Sequence, residues 1–306
     1  MTKFPTKILL ATDGSPEADR AARAAVELSE KTGSELYMAH AAPMPGIHAM
    51  PELAAYVPEA AFGELKGIAE REGQKVLEEQ VQKVEGAGGR VAGSYLRIGR
   101  SDEMIVGLAE EMGAGLIVMG SRGYGSLRRV LMGSVSDSVV RHAHCPVLVV
   151  RPRGWQERGM LDGRILLAVD GSKEASAAAR VGVELAKSTG SELHLTFGMS
   201  TEPEAPYPHP LAGERWSYSL ERAEQEARTF IEDQAKRLGD EEGVTTRAHF
   251  RLGRPDHEIV RLAEELDAGL IVMGSRGLGG MRRALMGSVS SSVVRHAHSS
   301  VLIVRE

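Results

Sequence analysis

The chain has 306 residues, 42% of them hydrophobic and 26% charged, with a formal net charge of −5. That length suits two domains of ordinary size, each able to bury its own core, and the acidic balance argues against non-specific nucleic-acid binding, which needs a basic surface. The single cysteine, Cys145, excludes an intrachain disulfide, no stretch reaches the length of a membrane span, and the expected setting is the cytoplasm.

In chain order, the opening MTKFPTKILLATDGS carries an apolar run too short for a signal peptide, with Asp13 breaking it. Lys7 to Thr12 reads as a buried parallel strand. Ser15 to Lys31 reads as a helix, with Ser15 as N-cap, Pro16 at the first position and Gly33 as stop. Glu35 to Ala41 is a second strand and Pro43 to Pro58 an irregular, proline-rich stretch. A long amphipathic helix is expected from Phe62 to Val84, with Leu65, Ile68, Leu77 and Val81 along one side. A strand from Arg90 to Ile98, a helix from Asp102 to Glu111 and a strand from Leu116 to Met119 follow. After a glycine-rich loop come a helix from Ser134 to His142 and a fifth strand from Pro146 to Val150.

The second half repeats this order. Its strands are expected near Ile165 to Val169, Glu192 to Phe197, Thr245 to Leu252, Leu270 to Met273 and Val301 to Val304. Met199 to Gly213 is again proline-rich but differs in sequence, as a loop specific to one half would. The polar stretch from Arg153 to Gly159 fits a linker, dividing the chain into domains 1–153 and 160–306. Strand–helix alternation of this kind implies parallel sheets covered on both faces.

One segment occurs twice, 154 residues apart: AGLIVMGSRGYGSLRRVLMGSVSDSVVRHAH from Ala114 and AGLIVMGSRGLGGMRRALMGSVSSSVVRHAH from Ala268. Roughly five in six positions are identical. A core alone tolerates far more exchange, so near-identity through a polar loop points to a task for the loop. It reads G-x-x-G-x9-G-S both times: Gly120, Gly123, Gly133 and Ser134, then Gly274, Gly277, Gly287 and Ser288. Glycines let a backbone approach an anion closely, and the helix start offers free N–H groups and the positive dipole end. Arg122, Arg128 and Arg129, repeated as Arg276, Arg282 and Arg283, are candidate cations. Asp13 and Asp170 end the first strands in D-G-S, where a carboxylate could accept from a ribose hydroxyl, hold a metal, or cap the following helix. Ligands in such sheets sit beyond strand carboxyl ends where the strand order reverses; if the first and fourth strands are neighbours, both motifs face one crevice. His142 and His144, repeated as His296 and His298, make an incomplete zinc set and suit the negative end of a helix.

The paired motifs resemble the universal stress protein family, and the chain resembles a tandem member over nearly its whole length. The intact glycine pattern is that of the family's ATP-binding branch. The resemblance implies an α/β fold, with each domain a five-stranded parallel sheet in order 3-2-1-4-5 flanked by helices. It implies phosphate contacts at the loop glycines and serines, and ribose or adenine contacts at Asp13 and Asp170. Adenine would meet the backbone of Ala41 and Gly198 at the ends of the second strands. Gly198 departs from the small apolar residue usual there. It also implies pairing through the last strands, giving an internal pseudo-dimer, with a homodimer as a further option. ATP is thus the expected ligand, with magnesium as a candidate companion.

The Walker pattern G-x-x-x-x-G-K-[ST] is absent, and no water-positioning residue recurs beside the loop. Binding with little or no turnover is therefore the first expectation, nucleotide occupancy acting as a signal. Slow ATP hydrolysis or phosphotransfer is the second, and a scaffold holding only AMP or inorganic phosphate the third.

Overall fold

The computed structural model describes residues 4–44, 59–123, 132–152, 161, 163–200, 220–278 and 286–305. The chain separates into two compact units, Met1–Val150 and Arg151–Glu306. The stretch expected to link them, residues 153–159, lies outside the described residues, as do both proline-rich segments apart from their edges.

The first domain runs β1 (Lys7–Ala11), α1 (Pro16–Thr32), β2 (Glu35–Ala42), α2 (Glu59–Gly86), β3 (Val91–Ile98), α3 (Ser101–Glu111), β4 (Leu116–Gly120), α4 (Ser134–His142) and β5 (Val147–Val150). Its strands lie in the order β3-β2-β1-β4-β5, all parallel. The order reverses between β1 and β4, where Ile8 to Ala11 stand beside Leu116 to Met119. Ile8, Leu9, Leu10, Ile117 and Val118 are fully buried, as strands covered on both faces require. Helix α1 packs on β4, β1 and β5 and touches α2, which lies on β2 and β3; α3 and α4 pack together. Ala18, Ala21, Ala24 and Ala25 form the buried side of α1, and their small side chains bring the helix close to the sheet.

The second domain repeats the plan: β6 (Arg164–Ala168), α5 (Lys173–Thr189), β7 (Glu192–Met199), α6 (Leu220–Glu242), β8 (Thr246–Leu252), α7 (Pro255–Glu265), β9 (Leu270–Gly274), α8 (Ser288–His296) and β10 (Ser300–Val304). Its strand order is β8-β7-β6-β9-β10, again parallel. Within each domain the observed order is the 3-2-1-4-5 that the resemblance implies. Most boundaries shift by a residue or two, and the larger or more telling shifts are that α2 starts at Glu59, β4 reaches Gly120 and β7 reaches Met199, which places Gly198 inside its strand.

Candidate functional site

In each domain the first and fourth strands end side by side. The turn after β1 is built by Thr12 to Ser15. Gly14 has φ 81° and its counterpart Gly171 has φ 82°, a left-handed backbone that a side chain disfavours. The turn delivers Asp13, whose Oδ1 accepts the Ser15 N–H at 3.0 Å, and Asp170, whose Oδ1 accepts the Ser172 N–H at 2.9 Å. Ser15 and Ser172 in turn accept from Ala18 N–H (3.2 Å) and Ala175 N–H (3.1 Å), capping α1 and α5. One carboxylate oxygen of each aspartate is therefore part of the helix start. The other faces the glycine loop: Asp170 Oδ2 accepts the Leu278 N–H at 3.2 Å. A Cβ at Gly123 would overlap Asp13 Oδ2, and one at Gly277 would overlap Asp170 Oδ2. These glycines let the loop close onto the carboxylate.

Gly120 and Gly274 serve a different contact. A Cβ there would lie 3.0 Å from the Glu17 backbone and 2.8 Å from that of Glu174. The first turns of α1 and α5 rest on the strand ends, and only a residue without a side chain fits between. Gly133 and Gly287 are extended N-caps of α4 and α8, and neither helix has a capping side chain. Each donates its own N–H back across the loop, to Ser121 O and Ser275 O, both at 2.8 Å. Ser134 and Ser288 are the first residues of α4 and α8. A helix start without a side-chain cap, beside a turn of close-approaching backbone, is suited to hold an anion.

The structure directs the loop arginines toward α1 and α5. Arg122 lies 3.7 Å from the Glu17 carboxylate and Arg276 lies 3.3 Å from that of Glu174. The Nε of each is buried without a hydrogen-bond partner, as is Ser121 Oγ. Arg128, Arg129, Arg282 and Arg283 lie outside the described residues.

Ala41 and Gly198 sit one residue before the ends of β2 and β7. The Ala41 carbonyl accepts Ser101 Oγ at 3.1 Å. In the second domain Pro255 occupies the equivalent of Ser101, and a Cβ at Gly198 would come within 3.0 Å of its Cα. The departure at Gly198 thus coincides with tight packing against the first residue of α7, which an alanine would press on.

Sequence reasoning missed the serines that fasten α4 and α8. Ser136 Oγ donates to Gly120 O at 3.0 Å, and Ser290 Oγ to Ser275 O at 2.7 Å. Ser138 donates to Asp102 at 2.6 Å and Ser292 to Asp256 at 2.7 Å. Arg100 and Arg254 reach the same carboxylate oxygen, Oδ2, at 2.9 Å and 3.0 Å. Burial pushes Asp102 and Asp256 upward, but the serine and arginine hydrogen bonds outweigh it and hold both below the ordinary carboxylate range. The available signal was the alternating serines of SVSDS and SVSSS, all inside the duplicated segment. The histidines that follow end the helices: His142 and His296 donate to Ser138 O and Ser292 O at 2.8 Å. His144 lies 2.9 Å from Glu110 and His298 lies 3.6 Å from Glu264.

The model of the universal stress protein family matches residues 5–151 and 163–305. A universal stress protein of Mycolicibacterium smegmatis is 30% identical over 97% of this chain and 96% of its own length. One of Mycobacterium tuberculosis is 27% identical over 98% of this chain and 96% of its own. The crystal structure of a universal stress protein from Archaeoglobus fulgidus superposes with a TM-score of 0.70 at 24% identity, covering 98% of this chain and 96% of that one. It shares the fold.

Proposed function

The chain belongs to the universal stress protein family, and from that premise we propose that each domain binds one ATP, whose occupancy is a signal read by other proteins. The carrying observation is the duplicated site. In both domains a glycine loop closes on an aspartate beside a helix start without a side-chain cap. The phosphates would lie on the loop backbone at Gly123 and Gly277 and on the helix starts at Gly133, Ser134, Gly287 and Ser288. Asp13 and Asp170 each direct one oxygen toward the loop, and a ribose hydroxyl, or a magnesium ion held mainly by the phosphates, would share that oxygen with the loop or draw the loop off it. The base would reach the backbone at Ala41 and Gly198.

Retention with little turnover is the favoured reading. Phosphoryl transfer needs a cation at the transferring group and a positioned nucleophile. Among the described residues, the loop arginines Arg122 and Arg276 are engaged with Glu17 and Glu174, and the loop has no Walker lysine. No helix among the described residues is long and apolar enough to cross a membrane.

The test is mass spectrometry of whatever is released from protein purified without added nucleotide, followed by incubation with ATP over hours. Bound ATP that stays intact supports the proposal. AMP or inorganic phosphate alone would replace it with a scaffold role, and several ADP produced per chain would make the protein a slow ATPase.

A further inference from the structure

The two domains differ sharply at one place, between the second and third strands of each. In the first domain, β2 and β3 bring Tyr37 and Tyr95 together, with ring centroids 6.3 Å apart. At the same positions of β7 and β8 the second domain carries His194 and His249. Their rings lie nearly parallel at 14°, and His194 Nδ1 is 2.9 Å from His249 Nε2. His194 is 3% exposed, and its Nε2 is 3.3 Å from Glu192 Oε2.

The hydrogen bonds fix the proton arrangement. An ionised Glu192 accepts from His194 Nε2–H, so a neutral His194 presents a bare Nδ1. That nitrogen can only accept, so His249 donates from Nε2. The space between the facing nitrogens already holds that one proton, so a first added proton goes to the outer Nδ1 of His249. A second would set two N–H groups and two positive charges against each other in a buried place.

The surroundings add little relief. From β7, Glu192 is the nearby anion, but Arg164 of β6 and Arg247 of β8 lie 3.6 Å from its two oxygens and divide its charge. Arg251 of β8 adds a further positive charge beside His249, and Glu265 of α7 is paired with that arginine. Arg261 of α7 approaches the same Glu265 at 3.6 Å. Alternation along β7 puts His194, Thr196 and Gly198 on one face, the face on which Gly198 meets Pro255 of α7. Phe197 points the other way, against Phe230 of α6. Thr196 stands opposite His249 in the strand register, and its buried Oγ1 has no hydrogen-bond partner.

We propose that Glu192, His194 and His249 form a proton-sensitive latch confined to the second domain, holding β7 to β8 when the imidazoles are neutral and loosening that edge of the sheet in mild acid. Burial, first of all, holds both histidines below their ordinary value, and for His249 the neighbouring His194 charge adds to it. The sign follows: an opened edge takes up two protons as pH falls below about 6.5, whereas the closed edge resists them, so acid favours opening. The consequence would reach the carboxyl end of β7 at Gly198 and the chain leading into α7. The latch itself does not depend on what the crevice binds.

Hydrogen exchange of the nucleotide-free full chain at about pH 7.5 and about pH 5.5, corrected for the intrinsic pH dependence of exchange, tests this. Protection in residues 192–199 and 246–252 should fall by about tenfold or more at the lower pH, while residues 35–42 and 91–98 hold theirs. The double variant His194→Tyr with His249→Tyr, which copies the first domain's pair, should remove the difference. An equal response in both domains, or an unchanged response in the double variant, would overturn the latch. Should that variant fail to fold, nitrogen NMR of the imidazoles in the unaltered chain decides. Depressed, mutually dependent titrations and a bare Nδ1 on His194 are expected, and two independent titrations at the ordinary histidine value would refute it.

Discussion

The glycines of G-x-x-G-x9-G-S look alike as letters and do unlike things in space. Gly120 makes room for the Glu17 backbone, Gly123 for the Asp13 carboxylate, and Gly133 begins α4. Substitutions should separate them. Gly120→Ala overpacks the contact between α1 and β4 and is expected to cost about 1–3 kcal/mol of stability, read by urea denaturation. Gly123→Val displaces the loop from Asp13 and is expected to raise the Kd for ATP in the first domain by more than about tenfold. Calorimetry that returns an unchanged affinity for Gly123→Val would remove the loop from the binding site. Asp13 and Asp170 hold a turn with one oxygen and face the loop with the other, so one residue ties two segments together.

Helices α4 and α8 are the elements that the site depends on, and they are held by side chains rather than by caps. Ser138 and Ser292 tie them to Asp102 and Asp256 at the starts of α3 and α7. Removing either hydroxyl, as Ser138→Ala or Ser292→Ala, should cost about 1 kcal/mol or somewhat more, since the acceptor is charged. Because both carboxylates are held below the ordinary range, the stability they contribute is present above about pH 3.9 and is lost as pH falls through their lower folded values. The serine variants should therefore unfold at a higher pH during acid titration than the unaltered chain. An acid midpoint that does not move would mean that the arginines alone hold the carboxylates. Among the strands, Leu10 of β1 is fully buried beside Val118 of β4, and Leu10→Ala should cost about 2–5 kcal/mol by the cavity it leaves.

Intact glycine motifs in both halves predict a calorimetric stoichiometry of two nucleotides, falling to one in Gly277→Val. A value of one in the unaltered chain would single out the second domain, where Pro255 packs tightly on Gly198 and supplies no hydroxyl in place of that of Ser101. The fold of each domain was legible because strand–helix alternation and buried apolar runs are local properties, and the order 3-2-1-4-5 followed from the resemblance. The turn at Asp13 and the start of α4 were legible for the same reason, since the residues that build them are neighbours in the chain. Other features rest on partners far apart in sequence. That Arg122 turns to Glu17, that Ser101 reaches Ala41 and that His194 meets His249 depends on which strands lie side by side. No spacing of letters encodes those distances, because they arise only when the sheet assembles and brings its edges and helix starts into register.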